Sequence, residues 1–235
     1  IFCAALETEH KRPSMFSLSR LLSFEKKVGE FTLSHGRLSL REPTAFRDDP
    51  ITMLRLFHTA QEHDVDIHPE ALRLVRRDLR LIDQVREDPE ANRLFLEMLT
   101  AHKNTIVTLR RLNEAGLFGR FLPPFGRVVA MMQYNMSHSY TVDEHTIRAI
   151  AELRRLEDGQ LAEVAPVASS VVKLLPQRRA LYVAVLFHDI GKGRGGNHST
   201  IGADLVEEYG PRLGLTSAET ETASWLVRYH LVMSD

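Results

Sequence analysis

The sequence predicts a mainly α fold: a helical bundle preceded by a helical connector that carries one small β-hairpin. Three observations carry this prediction. Apolar residues recur at three- and four-residue spacing along most of the chain, the repeat of a helix with one buried face. Prolines stand at the head of several of these runs, where a missing N–H costs nothing. Period-two alternation is confined to a single stretch, so a sheet of four or more strands would contradict this architecture.

That stretch is "EFTLSHGRLSL". Phe31 and Leu33 alternate, Ser34-His35-Gly36 turns, and Leu38 and Leu40 alternate again. In "DDPITMLRLFHTAQEH", Asp49 serves as a helix cap and Pro50 as the first helical residue, with Met53, Leu54, Phe57 and Ala60 on the apolar face. Pro69 opens a second helix with Leu72, Val75, Leu79 and Ile82 on one stripe, and Asp88-Pro89 repeats the device. Leu109, Leu112 and Leu117 mark a further short helix, closed by Gly116 or Gly119. "FLPPFGRV" then interrupts the pattern, and two prolines with a glycine make it a module boundary. The division falls between residues 1–125 and 126–235. In the second part, Thr141 with Glu144 and Thr216 with Glu219 each read as a capping box. A polar break surrounds Asp158 and Gly159.

Composition narrows the function. With 235 residues, 43% of them apolar and 26% charged, the chain can bury a real core. Thirty basic and 31 acidic residues leave a formal charge of −1, which gives no bulk attraction to nucleic acid. The single cysteine, Cys3, excludes an internal disulfide and fits a reducing, cytoplasmic setting. No apolar run approaches the roughly 18 to 20 residues of a membrane span. The abrupt beginning and end suggest a piece of a larger protein.

Eleven histidines are present, and several fall at helix ends. His145 follows the Thr141 start and shares 3/4 spacing with Val142, Ala149, Leu153 and Leu156, which places it on the buried stripe. Alone, such a residue is usually a core histidine bonded to a carbonyl. The stretch "LFHDIGKGRGGNHST" ends an almost wholly apolar helix with His188 and Asp189, and Gly191 is a natural cap. Burying an imidazole beside a carboxylate is costly without partners, and a divalent metal is one such partner. His198 sits at the edge of a helix opened by Asn197 or Ser199, and His230 near the end of the last one. Nitrogen and oxygen ligands from several helices are how a bundle builds a metal site. Imidazole with carboxylate suits Mn, Fe or Zn better than Ca. The "GKGRGG" turn is no Walker A loop, since Gly193 follows Lys192 and the preceding segment is helical. Lys192 and Arg194 on this turn are candidates to hold phosphate oxygens; the plain alternative is a solvated basic turn.

The pattern His145, His188-Asp189, His198 and His230, with "HDIGK", "HSTIGA" and "VRYH", resembles the HD superfamily of metal-dependent phosphohydrolases. "GRVVAMMQYNMSHSYTVDEHTIRAI" and "LGLTSAETETASWLVRYHLVMS" look like the HD domain of the bacterial bifunctional PII uridylyltransferase/uridylyl-removing enzymes. "DDPITMLRLFHTAQEHDVDIHPEALRLV" is similar to the segment preceding that domain, so the resemblance runs from about Phe31 onward. It implies that residues 1–125 are the tail of a nucleotidyltransferase region with a helical connector, and that 126–235 are a truncated HD domain. The family's transferase carboxylates follow a Gly-Ser motif that this sequence lacks, so that centre is expected upstream. Its ACT domains, which respond to glutamine, are also outside this sequence.

The resemblance implies hydrolysis of the uridylyl group from a tyrosine of the PII signalling protein, releasing UMP, with UTP the substrate of the upstream centre. His145, His188, Asp189, His198 and His230 would be the metal ligands, with Asp189 bridging if two ions are held. Mg or Mn is the expected ion, with Fe and Zn as alternatives. Asp189 and Lys192 would carry the catalysis, and Lys192 with Arg194 would bind the phosphoryl oxygens. Family members often have His-His where this chain has Tyr229-His230, and the later Asp of the HD pattern lies beyond Asp235. A tRNA nucleotidyltransferase-like protein, another HD nucleotide phosphohydrolase and an inert helical scaffold are the rival readings.

Overall fold

The computed structural model describes residues 26–132 and 140–232; Cys3 and Asp235 lie outside them. The described chain enters through three antiparallel strands, β1 (Lys26–Val28), β2 (Phe31–Ser34) and β3 (Arg37–Leu40). The β2–β3 hairpin is the one the alternation predicts. His35 and Gly36 turn it with φ of 52° and 73°, the paired positive values that match strand twist in a two-residue loop. Phe31 and Leu38 are buried beneath it.

The sheet is larger than the hairpin expected. β1 lies outside β2, and β4 (Asp66–Ile67) pairs in parallel with β3, giving the order β1-β2-β3-β4. Neither addition has a readable pattern, since β1 is Lys-Lys-Val and β4 has two residues. Backbone hydrogen bonds tie β4 to the hairpin: Asp66 N–H donates to Gly36 O at 3.0 Å and His68 N–H to Leu38 O at 2.8 Å. The sheet thus reaches the four strands that the sequence pattern excludes, and that expectation is corrected; because β1 and β4 add only three and two residues, the fold is nonetheless mainly α.

The connector holds α1 (Ala45–Asp48), α2 (Thr52–Glu62), α3 (Pro69–Asp78), α4 (Pro89–Thr100), α5 (Thr105–Glu114), α6 (Leu117–Phe121) and α7 (Pro123–Gly126). Two of the proline starts form as expected. His68 Nδ1 accepts from Glu70 N–H ahead of Pro69, and Asp88 Oδ1 accepts from Glu90 and Ala91 N–H ahead of Pro89. The third differs: α2 begins two residues after Pro50, because Asp49 caps Ile51 N–H and turns its other oxygen to Arg55. The Pro69 helix passes at Leu79 into a 3₁₀ segment (Leu79–Val85) that keeps Ile82 in the core. "FLPPFGRV" is an elbow of two short helices. Phe118 stacks on Phe125 at 3.9 Å, and a Cβ on Gly126 would lie 2.5 Å from Gly119 O.

The bundle holds α8 (Val142–Glu157), α9 (Pro166–Val171), α10 (Arg178–Phe187), α11 (His198–Arg212) and α12 (Ser217–Arg228). The Thr216–Glu219 capping box forms. The Thr141–Glu144 box does not: Thr141 stands at the N-cap without a side-chain bond, and Glu144 pairs with Arg110 and Arg148 instead. One apolar core runs from Phe31 to Val227, so connector and bundle share an interior. Arg212 stitches them, donating to Asn92 Oδ1 at 3.1 Å and to Phe121 O at 2.9 Å.

Candidate metal centre

Helix α10 is central because it is apolar on nearly every side; Ala180, Tyr182, Val183, Ala184, Leu186 and Phe187 are all buried. Its end therefore delivers the next two residues into the interior. Asp189 is 4% exposed. His188 is the C-cap in right-handed conformation, and the chain continues in turns. Gly191 is accordingly not the left-handed cap expected of it. It serves close packing instead: a Cβ there would lie 2.3 Å from His198 O. Gly202 does the same one turn into α11, where a Cβ would lie 2.9 Å from Phe187 O and 2.8 Å from Val227 Cγ1. These two glycines let the start of α11 and the end of α12 press against the end of α10.

Four imidazoles converge on Asp189 as a result. His145 Nε2 and His188 Nε2 lie 3.6 and 3.3 Å from Oδ2, while His198 Nε2 and His230 Nε2 lie 3.7 and 4.0 Å from Oδ1. The groups His145-His188-Asp189 and Asp189-His198-His230 each offer ligand atoms within 4.8 Å of one another, with Asp189 common to both. His145 is half-buried at the margin of α8's core stripe, which is formed by Val142, Thr146, Ile147, Ile150 and Leu153. The expectation that it lay on that stripe is corrected: the ring is half-buried beside the stripe and turned toward Asp189.

Hydrogen bonding fixes the rings. His188 Nδ1 is 2.7 Å from Val185 O, and His230 Nδ1 is 2.7 Å from Val227 O. A carbonyl only accepts, so both Nδ1 atoms carry the proton and, in the neutral ring, Nε2 presents a lone pair. His230 Nε2 is buried without a hydrogen-bond partner, aimed at the shared carboxylate. His188 Nε2 faces His145 Nε2 at 3.3 Å. An inward lone pair beside a carboxylate is poorly satisfied by protein atoms alone and suits a cation. Ligand atoms on one ion with bonds of about 2.0–2.2 Å sit about 3.0–3.5 Å apart, close to these spacings. The donor set thus fits a divalent metal.

Electrostatics agree. Burial pushes the Asp189 pKa upward, but hydrogen bonding and charge from His188, then from Lys192, hold it well below the usual carboxylate range. Burial pushes the His198 pKa below the ordinary histidine value, only partly offset by Asp189, so its ring is neutral near pH 7. Lys192 Nζ donates to Asp189 Oδ2 at 2.7 Å. Arg194 is not brought into this cluster. Its electrostatic neighbours are Arg127, Tyr209 and Glu208, and its Nε is buried without a partner. Sequence reasoning missed the Val185 and Val227 carbonyls and the packing role of Gly191 and Gly202; backbone acceptors leave no signature in residue type.

Residues 31–121 match the family described as the uridylyltransferase GlnD third domain, and residues 140–235 match the HD domain. The chain is 56% identical over its full length to a bifunctional uridylyltransferase/uridylyl-removing enzyme of Azospirillum brasilense, covering 25% of that protein. Over its whole length the chain is similar to that family. The equivalent enzymes of Rhodospirillum rubrum and Novosphingobium aromaticivorans are each 50% identical over the whole chain, which covers 25% and 26% of them. The chain therefore spans about a quarter of the length of these uridylyltransferase/uridylyl-removing relatives. A solved tRNA-processing enzyme (apo form 2) superposes with a TM-score of 0.52 at 14% identity, over 84% of this chain and 47% of that one. At that identity the likeness concerns fold alone. Among the described residues no helix is long and apolar enough to cross a membrane.

Proposed function

We propose that this chain carries the uridylyl-removing activity of the family it resembles: metal-dependent hydrolysis of the phosphodiester that joins UMP to a tyrosine of the PII signalling protein. The observation that supports it most is the convergence of four histidines from α8, α10, α11 and the end of α12 on the buried carboxylate of Asp189. His145, His188, Asp189, His198 and His230 would hold divalent cation, the histidines through Nε2. Such a cation, with Mg or Mn favoured over Fe or Zn, supplies a water nucleophile at neutral pH and charge neutralisation.

The chain's own residues do the rest. Val185 and Val227 carbonyls hold the rings in one tautomer, which spares reorganisation during turnover. Lys192 balances Asp189 and supplies positive charge to the phosphoryl oxygens. The proposal rests on Lys192 for that role and leaves Arg194 out. In the reaction the water oxygen bonds to phosphorus and the bond from phosphorus to the tyrosine oxygen breaks, giving UMP and free tyrosine. A phenol has a pKa of about 10, so the leaving oxygen asks little of a general acid.

The same reading places a connector in residues 1–125, an HD hydrolase unit in 126–235, a cytoplasmic setting, a UTP-dependent transferase centre elsewhere in the longer protein, and glutamine control through ACT domains there. Release of UMP from uridylylated PII, with metal analysis of the same sample, tests it. Metal-dependent release is expected. Metal binding with hydrolysis of other phosphodiesters and none of uridylylated PII would favour a different HD phosphohydrolase.

A further inference from the structure

The candidate metal centre occupies one end of the antiparallel pair α8 and α10. A second polar cluster, which the function proposed above does not use, closes the other end. Glu157 is the last residue of α8, and its side chain is 12% exposed. Its Oε1 accepts from Arg178 Nε at 2.7 Å. Its Oε2 accepts from Tyr182 O–H at 2.6 Å, Arg154 Nη1 at 2.8 Å and Arg178 Nη2 at 3.0 Å. Arg178 opens α10 and Tyr182 lies fully buried one turn on, with the guanidinium 4.6 Å over its ring. Arg178 Nη1 also donates to Thr100 O, the last residue of α4, at 2.6 Å.

Each helix is thus tied to the other at both ends. His145 lies in the first turn of α8 and Glu157 ends it; Arg178 begins α10 and His188 follows its last residue. His145 and Glu157 are separated by roughly 18 Å of helix at 1.5 Å per residue, a stiff span. A slide of α8 along α10 at the Glu157 end would reappear at the His145 end. The carboxylate suits the task because both oxygens accept from donors that α10 supplies. A glutamine there would turn an N–H₂ group toward guanidinium and phenol donors.

We infer that Glu157 is a positioning residue for the metal centre: through Arg178 and Tyr182 it sets the register of α8 against α10 and hence the approach of His145 to His188. This rests on the metal-centre reading. It also couples the centre to the connector, because Arg178 holds the end of α4 in the same network.

Calorimetric titration of the chain with Mn²⁺ tests the inference in four proteins: unaltered, Glu157→Gln, Tyr182→Phe and Glu90→Gln. Glu90 makes a comparable two-pronged pair with Arg55, at 2.8 and 2.9 Å, but joins α2 to α4, which carry none of the converging histidines. Glu157→Gln should weaken Mn²⁺ binding about tenfold, the lower range for losing partners that orient ligands. Tyr182→Phe, which keeps the ring packing, should weaken it about threefold. Glu90→Gln should lower the melting temperature and leave Mn²⁺ affinity unchanged. Where circular dichroism shows Glu157→Gln unfolded, Tyr182→Phe decides. Unchanged affinity in the folded variants, or an equal loss in Glu90→Gln, overturns the positioning role alone. No Mn²⁺ binding by the unaltered chain overturns the metal-centre reading and this inference with it.

Discussion

Asp78 in the connector and Asp189 in the bundle are buried alike, at 6% and 4% exposure, yet they live among different partners. Asp78 meets guanidinium groups. Arg77 and Arg47 both bond to it, and Arg77, opposed by burial and aided by Arg47, holds its pKa below the usual range. Arginine is always charged, so that pair is complete in itself. Asp189 meets one lysine and four imidazoles that turn Nε2 toward it. Its neighbourhood includes a buried nitrogen with no hydrogen-bond partner, His230 Nε2. A buried carboxylate among permanent cations has its charge balanced within the protein; one among inward-facing imidazoles could also hold a cation from solution.

The largest test of that contrast exchanges each carboxylate for its amide. Asp189→Asn should lower UMP release by orders of magnitude, because the water nucleophile depends on the cation. Asp78→Asn should leave activity per folded molecule unchanged and cost about 1–2 kcal/mol in a urea melt, since its partners are partly solvated. Equal activity losses would erase the distinction.

Metal-linked stability sharpens it next. Mn²⁺ at a hundred times its Kd should stabilise the unaltered chain and Asp78→Asn by about 2.7 kcal/mol, and Asp189→Asn by nothing measurable. A thermal melt with and without chelator reads this directly. His230→Ala follows in size, weakening Mn²⁺ binding by roughly tenfold or more. An undiminished affinity would remove His230 from the site.

Acid pH gives the smallest effect. The folded pKa of Asp78 is lowered, so its contribution is fully present above the unfolded value, near 3.9, and is lost as pH falls through the folded value. Between about pH 5 and pH 3 the unaltered chain should lose more stability than Asp78→Asn. Parallel stability curves for the two proteins would contradict this.

Much of the arrangement was legible in the residues. The hairpin showed in Phe31, Leu33, Leu38 and Leu40, and the start at Asp88-Pro89 announced its helix. The ligand candidates were visible because His and Asp recur at helix ends, a pattern that costs burial energy unless something repays it. What escaped notice depended on tertiary contact. β1 and β4 borrow their pairing from the hairpin's backbone and carry no alternation of their own. Glu144 satisfied the capping-box spacing, but Arg110, 34 positions earlier in sequence, claimed its carboxylate. Gly191 looked like a helix stop because sequence shows a missing side chain without showing that His198 O lies against it. Arg194 shares a turn with Lys192, yet the two side chains have different neighbours, which no spacing rule reveals.

The most direct test of the central claim is the anomalous scattering of Mn²⁺ in crystals of the chain. The account predicts a peak bonded to Asp189 and to the Nε2 atoms of the surrounding histidines, at about 2.0–2.2 Å, that disappears in Asp189→Asn. A Mn²⁺-saturated crystal with no peak at Asp189, or with its peaks elsewhere, would contradict it.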